Sequence, residues 1–366
     1  MLDRRQFLHT SLSTATASLL IPRFLRGTEK PNLKLATFRF DVSPPQGHPL
    51  CGGWIKPVDG VDDREEAIGL ILTGAGDPIV LCAVDWTGLL NEAHVRWRQV
   101  LAEAAGTTPD RVAVQCVHQH NAPFVCLEGE RIVAAQGDLP HTVFVNFFEQ
   151  CLERGAQAIT SALTRLRPLT HLAVGQARVE RVAGNRRFVN AEGVIGDWRG
   201  SASKNPKHAE LPEGLIDPWL KTIAFYDGAT KMAACHYYAT HPMSYYGDGK
   251  VCSDFVGLAR KRRQAEEPEC AHLYFTGCSG NVAAGKYNNG TPEARRELTD
   301  RMYAGMVASE AMLRPQPITQ VAWQTENVLL TPRASFTEES LMTQVANKDN
   351  ALANRIRPAM MLSWLR

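Results

Sequence analysis

The sequence predicts an α/β fold, with mixed or mostly parallel β-sheets covered by helices and the chemistry carried on loops at strand ends. Three observations lead there. Short, nearly all-apolar runs alternate with longer stretches of helical spacing, as strands buried on both faces require. With 366 residues, 44% of them hydrophobic, the chain can bury a sizeable core. Two histidine turns, Val117-His118-Gln119-His120-Asn121-Ala122-Pro123 and Ala239-Thr240-His241-Pro242-Met243-Ser244, each follow an apolar run and contain a proline that stops it. Strand ends of this kind are where α/β enzymes present reactive side chains.

Residues 33–42 alternate as a strand and end at Ser43-Pro44-Pro45, which cannot continue it. The apolar runs 66–72 and 78–84 flank Gly74-Ala75-Gly76-Asp77, a turn between paired strands. Residues 91–105 have helical spacing, and Thr108-Pro109-Asp110 leads into a strand over 111–117. A long amphipathic helix follows over 141–166, its stripe of Val143, Phe144, Phe147, Phe148, Cys151 and Leu152 facing the core. Strands at 172–179 and 220–226 flank a polar Gly/Pro-rich segment, 190–218, long enough for a lid or substrate loop. A strand at 232–239, a helix at 254–266 and a strand at 273–276 come next, then a helix opened by Thr291-Pro292-Glu293 and running to about 313. A strand near 321–330 and a helix from about 338 to the end complete the pattern, with no internal repeat visible in the sequence.

A net charge of +2 supplies no broad electrostatic footprint for nucleic acid, leaving small polar or amphipathic substrates. The densest basic run, Arg260-Lys261-Arg262-Arg263, is followed by Glu266-Glu267 and is expected on a solvated helix face. At the N-terminus, Asp3-Arg4-Arg5-Gln6-Phe7-Leu8 precedes a weakly apolar, Ser/Thr-rich stretch through Ile21. That pattern predicts a twin-arginine export signal and linker over 1–30, followed by one domain over 31–366 of an exported, periplasmic or secreted protein. The nine cysteines are an odd number without a Cys-x-x-Cys pair, so neither a disulfide framework nor a thiolate zinc site is expected. Cys82, Cys116 and Cys235 sit in strand-like runs as small hydrophobes.

Imidazole suits zinc, copper, iron or nickel, and metal ligands distant in sequence commonly meet in the fold. The two histidine turns therefore predict one metal site. His120, two residues beyond His118, either shares its face or sits behind it as a supporting group.

Taken together, these segments resemble the neutral ceramidase family, zinc amidases that hydrolyse N-acyl sphingosine. The turn at His118 is similar to the family's Thr-His-Thr-His-Ser-Gly-Pro segment and the turn at His241 to its Ala-Ile-His-Pro-Val-Ser-Met segment. Asn185-Arg186, Ser253-Asp254, Asp41-Val42-Ser43-Pro44 and the strand ending at Asp85 match further family turns in the family's order, over roughly residues 35–313. The resemblance implies a zinc-dependent amidohydrolase, with His118 and His241 as zinc ligands and Arg186 meeting the substrate's polar head. It makes His120 an active-site neighbour, with Asp254 and Asp85 as supporting carboxylates, either of which could instead pair with Arg186. The implied partner is a small-molecule or lipid amide, with peripheral membrane contact through that lipid. Two departures bear on activity. Where the family carries Gly-Asp-Val-Ser-Pro-Asn, with a catalytic serine, this chain has Gly280-Asn281-Val282-Ala283-Ala284-Gly285, which leaves attack by a zinc-activated water. The family's glutamate and tyrosine ligands match no segment here, so the domain is expected to be incomplete at its C-terminus. The competing expectations are a non-catalytic binding protein and an inactive fragment of the same fold.

Overall fold

A computed structural model describes residues 32–366; the expected export signal over 1–30 lies outside the described residues. The chain builds β1 (Lys34–Asp41), β2 (Glu66–Thr73), β3 (Ile79–Val84), α1 (Glu92–Ala105), β4 (Val112–Cys116), α2 (Leu127–Ala134) and α3 (Val145–Leu163). These strands form a mixed sheet in the order β4-β3-β2-β1, closed by the two-residue strand Arg167–Pro168 beside β1. β1, β2 and β3 pair antiparallel, and β4 runs parallel to β3. Alternation sorts the side chains as a strand must. Phe38, Val80 and Val84 face Trp97, Leu101 and Phe148 of α1 and α3, while Leu35, Leu70 and Ala83 face the second sheet's core.

The second sheet comes from β5 (His171–Arg178), β6 (Trp219–Asp227), β7 (Thr230–Tyr238), α4 (Asp254–Glu266), β8 (Ala271–Thr276) and α5 (Pro292–Ala311). Its order is β8-β7-β6-β5, closed by Gln316–Pro317 beside β5. Again three strands are antiparallel and the fourth is parallel to the third. The two halves therefore repeat one scheme: three strands, a helix, a parallel fourth strand, a helical return (α2 and α3 in the first half, α5 in the second), and a two-residue edge strand beside the first. No repeat was visible in the sequence because the shared feature is topology, which very different apolar residues satisfy equally well. The sheets meet where Gln115 on β4 brackets Thr276 at the end of β8. Its Nε2 donates to the Thr276 carbonyl at 3.0 Å, and its Oε1 accepts from the Thr276 amide at 2.8 Å.

Element boundaries follow local chemistry. Gly106, at φ 66°, ends α1 in the left-handed conformation, and the Thr291 side chain accepts from the Ala294 amide ahead of Pro292 to start α5. Four sequence expectations are corrected. Residues 321–330 pair with no strand among the described residues: the edge beside β5 is already taken by Gln316–Pro317, and Val321 and Trp323 are instead held by side-chain packing. The C-terminal helix is two, α6 (Glu338–Ala346) and α7 (Ala353–Leu365), because the Asn347 side chain turns the chain by accepting from the Asp349 amide at 3.0 Å. The segment 190–218 carries a hairpin, Arg187–Val189 with Ile195–Trp198, and a short helix, Pro206–Glu210. Buried Arg199 ties it down by donating to the carbonyls of Asn185, His208, Leu211 and Pro212. Finally, the basic run on α4 is not a solvated face. Arg260 and Arg263 are buried, because α4 lies across carboxylates from both halves: Arg260 pairs with Glu66 and Asp85, and Arg263 with Glu266, Glu267 and Glu310.

Candidate metal centre

His118 leaves β4 in a backbone conformation, φ 84°, that side-chain-bearing residues seldom adopt. Strain of this sort persists only where surrounding contacts over-determine it. Here they do: its Nδ1 donates to the Thr87 carbonyl at 2.6 Å, and the Thr87 hydroxyl donates to the carbonyls of Gln119 and Ala122. Because a carbonyl only accepts, His118 carries its proton on Nδ1 and offers Nε2 as a lone pair.

His120 and His241 complete the group. Ring centroids lie 5.1 Å apart for His118–His120, 4.7 Å for His118–His241 and 4.9 Å for His120–His241. One ligating nitrogen from each lies within 4.8 Å of the others, and the two Nε2 atoms of His120 and His241 are 2.9 Å apart. Burial is the largest cause depressing the pKa of all three, and the charges of Arg186 and neighbouring imidazoles add to it. His120 falls to about 2 and His241 to about 3. All three rings are therefore neutral near pH 7, the state in which imidazole binds a metal. Among the described residues, the Nδ1 atoms of His120 and His241 are buried without a hydrogen-bond partner.

Asp85 and Asp254 touch none of these rings; each holds a turn that carries one. Asp85 accepts from the Gln119 side chain between the two histidines, from the Glu66 amide and from Arg260. Asp254 accepts from the amides of Ser244 and Phe255, and Arg295 lies 3.8 Å away. Burial raises both carboxyl pKa values, and the arginines oppose it. Arg186 pairs with neither. Its guanidinium stacks on Trp198 at 4.8 Å, with Arg187 at 5.1 Å on the same ring, and its Nε has no partner.

The segment following β8 links Arg186 to His241. Val282–Ala283 pairs with Gly184–Asn185, the Arg186 amide donates to the Asn281 carbonyl at 2.9 Å, and the His241 amide donates to the Val282 carbonyl at 2.8 Å. Ala283, standing where the resemblance puts a serine, is buried in this bridge and supplies backbone only.

Three neighbours escaped the sequence reading. Tyr246 packs edge-on to His120 at 4.9 Å; its signal was an aromatic pair five residues beyond a candidate ligand. Trp198 lay inside a segment taken as a loop. Arg357, on α7, had no signal. It borders an apolar cavity of about 590 Å³ lined by Trp54, Phe124, Phe336, Met360, Met361 and Trp364, and its charge contributes to the depression of His120.

The fold is similar to that of part of neutral ceramidase. A neutral ceramidase from Pseudomonas aeruginosa superposes with a TM-score of 0.55 at 17% identity, covering 77% of this chain and 45% of that one. A ceramidase solved in complex with C2 also gives 0.55 at 17% identity, over 77% and 44% of the respective chains. This chain thus spans less than half the length of these proteins. No family model matches the sequence, and no curated protein does.

Proposed function

We propose that this protein is a zinc-dependent hydrolase cleaving the amide bond of an N-acylated amphiphile, with His118, His120 and His241 as metal ligands. The observation that carries the reading is the convergence of three neutral imidazoles, His241 buried and His118 and His120 half-buried, two of them with no partner at Nδ1 among the described residues. Three protein ligands with a remaining open position are the common donor set of a catalytic zinc. His120 is thereby a ligand rather than only the active-site neighbour that the resemblance implies, and it fills part of the shell for which no glutamate or tyrosine was found. When bound, zinc supplies Lewis acidity towards a carbonyl and brings the pKa of water down to about 7.

The remaining work falls to the chain itself. The Thr87 carbonyl fixes the His118 tautomer, and the Asp85–Gln119 contact sets the spacing of His118 and His120. Arg186, braced on Trp198, would offer its guanidinium to a substrate carbonyl oxygen and to the negative charge that develops there. The apolar cavity beside Arg357 has the volume and lining for an acyl chain. Export through a twin-arginine signal belongs to the same proposal.

Metal analysis of the purified chain, with His118→Ala, His120→Ala and His241→Ala beside it, tests the ligand set. Near-stoichiometric zinc that each substitution weakens at least tenfold supports it; zinc unaffected by His120→Ala refutes the three-imidazole set. A panel of N-acyl amines then tests turnover. Zinc-loaded protein that hydrolyses none of them would leave a binding protein, in keeping with the missing serine.

A further inference from the structure

A second group of metal-ligating side chains lies at the other end of the second sheet, where β7 and β8 begin and α4 and α5 end. His236 and His272 stack with centroids 5.3 Å apart and planes 7° from parallel, both fully buried. A hydrogen-bonded chain joins them to the core. Ser309 Oγ lies 2.6 Å from Thr222 Oγ1, Thr222 Oγ1 lies 2.9 Å from His236 Nδ1, and His236 Nε2 lies 3.0 Å from His272 Nδ1. At its outer end, His272 Nε2 is buried with no hydrogen-bond partner among the described residues, 3.4 Å from a Glu267 carboxylate oxygen. Cys270, buried and free, stands beside them, and the ligating atoms of Glu267, Cys270 and His272 all lie within 4.8 Å of one another.

We propose that Glu267, Cys270 and His272 form a second metal site, selective for a zinc-class dication and independent of the three-histidine centre. A thiolate, an imidazole and a carboxylate make a donor set suited to zinc. Small side-chain rotations bring the three atoms to the roughly 3.5 Å separation that tetrahedral ligands at about 2.0–2.3 Å impose.

The hydrogen-bonded chain is built to accept the ion. A metal on His272 Nε2 requires the proton on Nδ1, donated to His236 Nε2; His236 Nδ1 then donates to Thr222, and Thr222 to Ser309. Ser309 must in turn find an acceptor, and the Met306 carbonyl waits 2.9 Å away. Every donor in the metal-bound direction is thus satisfied, and His236 orients the ligating ring as outer-shell groups do.

Charge balance points the same way. Arg263 and Lys231 face three carboxylates, Glu266, Glu267 and Glu310, which leaves one negative charge over. A dication that converts Cys270 to thiolate brings the cluster to neutrality. Glu267 is 35% exposed, and its side opens the site to solvent for entry and a fourth ligand.

The test uses the full chain loaded with cobalt(II) or zinc. The expected result is a near-ultraviolet thiolate-to-cobalt charge-transfer band that persists in the double variant His118→Ala/His241→Ala and disappears in Cys270→Ser. Zinc stoichiometry should drop by one in Cys270→Ser. Glu267→Gln, which keeps the side chain's size and an acceptor oxygen for Arg263 and Lys231, should weaken zinc at this site at least tenfold while its urea-unfolding midpoint is measured beside it. No thiolate band in the wild type, or a band indifferent to Cys270→Ser and Glu267→Gln, overturns the proposal and leaves His272 donating to Glu267 as a structural contact. Because the three-histidine centre contains no thiolate, its failure would be read separately.

Discussion

Replacing Arg260 by leucine tests whether the buried charge beneath the histidine turns holds them in place. Arg260, 2% exposed, donates to Asp85 at 3.0 Å and to Glu66 at 3.1 Å. Removing it leaves Asp85 ionised in a site almost closed to water, and an orphaned partner of a buried pair costs about 3–5 kcal/mol. Urea unfolding at pH 7 should show a loss of that order. The pH dependence has a definite sign. Burial already raises the Asp85 pKa above its ordinary value, with Arg260 opposing the rise; without Arg260 the folded carboxyl holds its proton to still higher pH than the unfolded one. The folded state then binds more protons, so the variant's deficit relative to wild type shrinks as the pH falls towards the ordinary Asp range. Asp85→Asn in the Arg260→Leu background removes the stranded charge and should recover part of the loss. Since Asp85 also fixes Gln119 between His118 and His120, zinc affinity should fall in Arg260→Leu and partly return in the double variant. A loss below about 1 kcal/mol, or a double variant no more stable than Arg260→Leu, would refute the reasoning.

Three other outcomes are expected. His48 is fully buried, with Nδ1 donating to the Pro49 carbonyl and its pKa lowered to about 4 by burial. It therefore contributes stability above the unfolded value near 6.5 that is lost as the pH falls towards 4, up to about 3 kcal/mol; unfolding midpoints of His48→Gln across that window should slope less steeply than wild type. Trp198→Ala removes the stack that braces Arg186, an interaction of about 0.5–1 kcal/mol, and kinetics on an N-acyl substrate should show kcat/KM down roughly two- to fivefold with zinc content unchanged. Met361→Trp narrows the apolar cavity from its part-exposed wall, and should shift chain-length preference towards shorter acyl groups in competition assays while altering stability by no more than about 0.5 kcal/mol.

Much of the fold was legible because local signals and tertiary demand agreed. The hairpin at Gly74–Gly76 and the Thr291 cap each announce themselves through turn or capping chemistry. Where burial and local pattern conflict, the sequence misleads. Four consecutive basic residues look solvated because nothing in their own segment shows the carboxylates of Glu66, Asp85 and Glu310 that enclose two of them. The apolar run 321–330 looks like a strand because alternation cannot reveal whether a sheet edge is available. At the centre, the two histidine turns were visible as strand ends, and their meeting was a sound expectation. The place of His120 was not legible: a residue two positions along faces the same side on a strand and another side in a turn, and the left-handed φ of His118 decides between them. Tyr246 and Arg357 reach His120 only through tertiary packing.

The repeated strand scheme accounts for where the centre lies. In each half the third and fourth strands are parallel, so their carboxyl ends open at the same edge, the position at which α/β sheets bind ligands. Gln115 and Thr276 join the two halves at those edges, and four loops consequently converge. The loop after β3 supplies the Thr87 carbonyl, that after β4 supplies His118 and His120, that after β7 supplies His241, and that after β8 ties His241 to the Arg186 turn. The halves use their equivalent loops in opposite ways. One places imidazoles after its fourth strand and a fixing carbonyl after its third; the other places an imidazole after its third strand and a fixing backbone bridge after its fourth. A duplicated frame of this kind needs no symmetry in its ligands, because each loop has only to reach the shared edge. It follows that Ala283 can occupy the serine position without loosening the imidazole cluster: what the loop after β8 contributes to the geometry is its backbone, through the Val282 carbonyl and the pairing with Gly184, and an alanine provides that as well as a serine.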